Sequence, residues 1–212
     1  MSAPLFLALA GLAAGLLTGR WATTYCLSAG RTPECAGGQT GATFMLPMLS
    51  AVWGWWLGLR WGLDGPAWHY LALVVIVLTA TATDLRCRRI PNPLIAAGAV
   101  LAVMSLGLWQ VVAPVSAWLG VLVGGGALFL FAFFTKGGLG GGDVKLAAVM
   151  GLFLGWQGVW AALLVGCLVA GVAGIILVLW KIKSMKDTIP FAPFLAGGAL
   201  AAILLAGLGS LV

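Results

Sequence analysis

The chain has 212 residues, of which 62% are apolar and 8% charged, and its mean hydropathy is +1.12. So few polar side chains leave too little to cover a water-soluble globule, and the composition points instead to a polytopic membrane protein. The net charge of +6 implies no nucleic-acid partner, because cations retained on the cytoplasmic side set topology and meet anionic lipid headgroups.

Apolar runs near 20 residues suit membrane-crossing helices, whereas barrels show short alternating strands. The expected fold is therefore all-α with about eight transmembrane helices, at 4 to 19, 43 to 59, 68 to 83, 93 to 109, 116 to 134, 143 to 155, 158 to 180 and 190 to 211. The first run has no basic segment before it and Arg20 after it, so it reads as an uncleaved span inserted with its N-terminus outside. The sixth is short. Val144 to Leu154 gives a partial crossing before Gly155, so this run either tilts or forms one arm of a helical hairpin with the seventh.

Cations orient the whole. With both termini outside, the cytoplasmic loops receive Arg20, Arg31, Arg86, Arg88, Arg89, Lys136, Lys145, Lys181, Lys183 and Lys186, and Arg60 alone stays outside. Most tryptophans, among them Trp53, Trp56, Trp68, Trp109 and Trp156, cluster toward the outer ends. The chain divides into a two-span region, 1–67, and a six-span core, 68–212. The pairs Gly11 and Gly15, Gly120 and Gly124, and Gly151 and Gly155 have the spacing that lets helix backbones approach closely.

Cys26, Cys35 and Cys87 fall on the cytoplasmic side and Cys167 within a span. A reducing compartment argues against disulfides. Structural zinc needs four ligands with close pairs, which the wide spacing of Cys26 and Cys35 and an outward His69 do not supply, so no metal site is expected.

Two cytoplasmic boundary segments carry the chemistry. The first, Asp84-Leu85-Arg86-Cys87-Arg88-Arg89-Ile90-Pro91-Asn92-Pro93, joins two spans through a tight turn, with Asn92 as helix N-cap and Pro93 in the first turn. Its plainer reading makes Asp84 a surface counter-ion of the arginines. The second, Gly137-Gly138-Leu139-Gly140-Gly141-Gly142-Asp143-Val144-Lys145, expects irregular, mobile backbone until Asp143 starts the next span. Asp143 read plainly is an ordinary helix cap, but a cap needs no glycine run. Bare glycine backbone lets another chain lie alongside, as peptide cleavage requires.

The chain has five acids; Glu34 and Asp187 belong to loops and Asp64 lies outside, which leaves Asp84 and Asp143 at one boundary. Two carboxylates brought close share one proton and titrate as a unit. Such a pair supplies base and acid in one site: one member activates water, the other polarises the peptide carbonyl.

Asp84 before Ile90-Pro91-Asn92, the block Gly140-Gly141-Gly142-Asp143-Val144-Lys145 and the late run Ile189-Pro190-Phe191-Ala192-Pro193-Phe194 together resemble the type IV prepilin peptidases, the bacterial branch of the GxGD aspartyl proteases. The resemblance covers roughly residues 68 to 205. It implies a bacterial inner-membrane endopeptidase, with Asp84 and Asp143 as the catalytic pair and Pro91, Asn92, Gly140, Gly142, Lys145, Pro190 and Pro193 as the surrounding motif and substrate approach. Its partners would be prepilins or pseudopilins and membrane lipids. No cofactor serves the peptidase step.

Many members also N-methylate the new N-terminus with S-adenosylmethionine and carry two zinc-binding CxxC pairs in a larger first loop. Here that loop spans only about Gly19 to Ala42, so zinc is not expected and methylation stays open. A proton-coupled transporter and a non-catalytic scaffold are the competing classes. Both acids on one face, without a relay at mid-bilayer, weigh against transport.

Overall fold

The computed structural model describes residues 2–28, 39–134, 139–180 and 190–209. The described residues are helical throughout, joined by short turns: α1 (Ser2–Ser28), α2 (Gln39–Trp61), α3 (Gly65–Cys87), α4 (Asn92–Trp109), α5 (Pro114–Phe134), α6 (Gly141–Leu179) and α7 (Ala192–Gly207). Five of these, α1, α3, α4, α5 and α6, are long and apolar enough to cross a membrane. The chain is a multi-pass membrane protein.

Helix α3 is the centre of the bundle, touching α1, α2, α4, α6 and α7. The other helices turn large apolar side chains outward, such as Leu17, Leu122, Phe133 and Leu168. In water these faces would aggregate. In a bilayer they meet lipid, and packing then rests on close fit rather than on apolar burial. At the α5–α6 contact a Cβ on Gly120 would collide with the Gly151 backbone, so the glycine pairing lets the two helices pack backbone to backbone.

Helix α6 is two arms rather than one rod. Gly155 has φ 68° and ψ 179°, a conformation essentially reserved for glycine. Gly124 of α5 approaches both Ala147 on the first arm and Val159 on the second, so the arms fold back on each other as a hairpin. The first arm, Gly141 to Leu154, is only about 21 Å long at 1.5 Å per residue.

Breaking a helix strands backbone groups, and this break has partners for them. The Phe153 carbonyl accepts a hydrogen bond from His69 Nε2 at 2.8 Å, while Ser105 Oγ sits 2.8 Å from His69 Nδ1. A carbonyl only accepts, so Nε2 carries a proton. The Trp156 amide faces Ser116 Oγ at 3.4 Å. His69 is fully buried and pins the hairpin tip to α3.

One expectation is overturned here. Cys26 and Cys87, taken as free thiols, are joined by a disulfide with their Cα atoms 6.0 Å apart. Helices α1 and α3 pack side by side, a proximity that a sequence separation of 61 residues conceals. Cys35 lies outside the described residues.

Candidate active site

Asp84 occupies the last turn of α3. Arg88 ends that helix in a left-handed conformation, φ 51° and ψ 38°, and its amide donates to the Asp84 carbonyl at 2.8 Å. The closure follows directly after Asp84, which holds its side chain at the mouth of the bundle. Only 7% of Asp84 is exposed. Its Oδ2 accepts the Ala192 amide at 3.1 Å, and Ala192 is the first residue of α7.

The late proline run thereby acquires a physical role. The first amides of a helix lack internal partners and favour a negative charge. Pro193 stands in the first turn of α7, where a missing N–H costs nothing, and Pro190 precedes the capping residue Phe191. The run places the α7 N-terminus against Asp84, and neither proline lines the pocket itself.

Asp143 arrives from the opposite chain direction, at the start of α6. Its amide donates to the Gly140 carbonyl at 3.0 Å. The carboxylate lies over Gly140, where a Cβ would stand 2.9 Å from Oδ2. Asp143 is 7% exposed, and its buried Oδ1 has no hydrogen-bond partner among the described residues. Two expectations need correction. The helix begins at Gly141, so Gly141 and Gly142 are helical rather than irregular, and Asp143 lies inside the first turn rather than at its cap. Gly137 and Gly138 lie outside the described residues.

Both carboxylates face one pocket of about 330 Å³ and interact electrostatically across it. Gly140, Gly141 and Gly142 form a wall without side chains, and Asn92, Ile90, Arg88 and Arg89 line the pocket from the α3–α4 turn. The two segments are also joined outside the pair. Lys145 Nζ donates to Asn92 Oδ1 at 3.0 Å, and a Cβ on Gly142 would stand 3.1 Å from Ile90 Cβ.

Asn92 is not the N-cap of α4. Pro91 takes that position, its carbonyl accepting the amides of Leu94 and Ile95 at 3.1 and 3.3 Å. Asn92 is thus free to receive Lys145. Pro91 is not among the residues lining the pocket.

The packing register sets the depth. Gly124 abuts Ala147, which places Asp143 near the level of Leu128 in this antiparallel pair. Helix α5 then runs on to Phe134, about 9 Å further at 1.5 Å per residue. The pair is therefore recessed from the Phe134 end of α5.

A lining residue that the sequence did not reveal is Tyr25 of α1, which no motif marks. Among the described residues no three His, Cys, Asp or Glu side chains are grouped as a metal site would require.

Comparison with known proteins places these features. The type IV leader peptidase family matches residues 71–179, just over half of the chain. A prepilin leader peptidase/N-methyltransferase of Bacillus subtilis (strain 168) is 30% identical over 151 residues, covering 69% of this chain and 59% of that protein. The Aeromonas salmonicida (strain A449) protein of the same name is 32% identical over 139 residues, 62% of this chain and 48% of its own. One from Burkholderia pseudomallei (strain 1026b) is 30% identical over 155 residues, 67% of this chain and 48% of its own. The chain thus spans about half the length of the curated relatives it matches. No solved structure matches significantly.

Proposed function

The chain belongs to the type IV leader peptidase family, and from that premise we propose that it is a membrane-embedded aspartic endopeptidase removing the leader of prepilins or pseudopilins. The observation that carries the proposal is the meeting of Asp84 and Asp143, each nearly buried, in a pocket with a bare glycine wall. A substrate backbone can lie against that wall with its carbonyl between the carboxylates.

The surroundings divide the roles. Asp84 receives the Ala192 amide and has Arg88 nearby, and donors and cations favour a carboxylate that holds charge. Asp143 Oδ1 receives no donor among the described residues, which suits the member that holds the proton. Asp84 then takes a proton from the attacking water. Asp143 gives its proton to the carbonyl oxygen as the tetrahedral intermediate forms, and proton return to the leaving amine completes cleavage.

The chain sits in a bacterial inner membrane, crossing it eight times with each α6 arm counted once and both termini outside. Arg86, Arg88, Arg89 and Lys145 lie with the carboxylate pair at one end of the bundle, in keeping with a cytoplasmic site. Labelling of single cysteines placed at Asp64 and at Arg89 checks this: an Asp64 probe reactive only from inside contradicts it.

Relatives named N-methyltransferases raise S-adenosylmethionine as a cofactor. The described parts of α1 and α2 contain no carboxylate that would bind its ribose hydroxyls.

Asp84→Asn and Asp143→Asn variants, inserted and folded, are each expected to lose leader cleavage by at least about a thousandfold, because the dyad acts as a unit. The wild-type rate is expected to pass through a maximum with pH, since the pair works singly protonated. Cleavage at the wild-type rate by either variant removes the dyad.

A further inference from the structure

Helix α1 lies outside the matched residues 71–179, yet it reaches the catalytic pocket. Tyr25 is the sole aromatic side chain among the described residues lining it. Its ring is held from two directions. Trp21 stacks against it with ring centroids 5.6 Å apart and planes 24° from parallel. The next residue, Cys26, is bonded to Cys87, three positions after Asp84 in the last turn of α3.

We propose, resting on the peptidase reading, that Tyr25 is a substrate-contacting specificity residue, and that the Cys26–Cys87 link holds it at the pocket. The glycine segment offers a substrate backbone room but no side-chain grip. An aromatic face in the same pocket supplies that grip, packing on a side chain beside the scissile bond. A contact of this kind acts through packing of the ring face rather than through the hydroxyl. It therefore governs substrate affinity rather than the chemical step.

The test uses the full chain in lipid with a prepilin substrate and measures KM and kcat separately, with melting to confirm folding. Tyr25→Ala is expected to raise KM by about fivefold to tenfold with kcat within about twofold, the size of an aromatic packing contact. Tyr25→Phe, which keeps the ring, is expected to recover most of that loss. Cys26→Ser, which releases the end of α1, raises KM in the same direction. An unchanged KM in Tyr25→Ala, or a fall in kcat alone, overturns the assignment; an unchanged KM in Cys26→Ser overturns the tether. Failure of the wild type to cleave at all would instead sink the peptidase reading, so the two failures are distinct.

Discussion

Asp143 and Gly140 show how closely the site is built around single atoms. The carboxylate lies over Gly140, two residues along Gly142 faces Ile90, and Lys145 reaches Asn92. The α6 start therefore docks on the α3–α4 turn through two residues, Gly142 and Lys145, and the separation of the carboxylates follows from that docking. Gly142→Val puts branched carbon where Ile90 Cβ already stands 3.1 Å from a bare Cβ, so the turn must move. Leader cleavage is expected to fall about tenfold or more in kcat/KM with the protein still inserted, as a misplaced catalytic group predicts; turnover equal to wild type would show that the spacing tolerates the shift. The residue types at Asp84, Asp143 and Gly142 were legible because acids are rare in this chain and glycine runs rarer. Tyr25 was not legible, since a lone aromatic in an apolar helix has no pattern. Nor was the role of Asn92, whose sequence context suits an N-cap while its side chain answers a lysine 53 positions away.

At the scale of elements, the helices follow the apolar runs, and the open question was how the short sixth run finishes its crossing. The hairpin at Gly155 answers it. The second arm returns beside α5, and α7 packs against that arm, with Gly198 against Ala162 and Gly166 against Phe194. That chain of contacts delivers the α7 N-terminus to Asp84. His69 is the hidden support, because it satisfies the Phe153 carbonyl freed by the break. His69→Ala is expected to cost about 1–3 kcal/mol by leaving a buried carbonyl unpaired. Gly155→Ala is expected to destabilise by a similar amount, since its φ of 68° strains any other residue. Thermal melting in detergent checks both, and a midpoint equal to wild type in each would mean the hairpin tip carries no such load. The sequence showed a hairpin as one of two outcomes. It did not show His69's task, because only the folded arms bring α3 to the break.

For the whole molecule, composition set the class, and the deciding facts came from which helices meet. The end of α3 and the starts of α4 and α6 converge on one pocket, α1 adds a further side through Tyr25, and the start of α7 holds Asp84 through the Ala192 amide. Arg60 of α2 donates to the Gly207 carbonyl at the far end of α7, so the two-helix N-terminal region is bound to the core at both ends of the bundle. Cys26 and Cys87 make the other tie. The spans alone do not reveal this coupling, because apolar runs specify helices without specifying neighbours. Peptide cleavage at the recessed pair is the activity proposed for the chain. The most direct test incubates the wild-type protein in lipid with a prepilin and weighs the product's N-terminus by mass spectrometry. A product shortened by its leader is expected, whether or not a methyl group is added when S-adenosylmethionine is present. A substrate left intact by folded, inserted protein would contradict it.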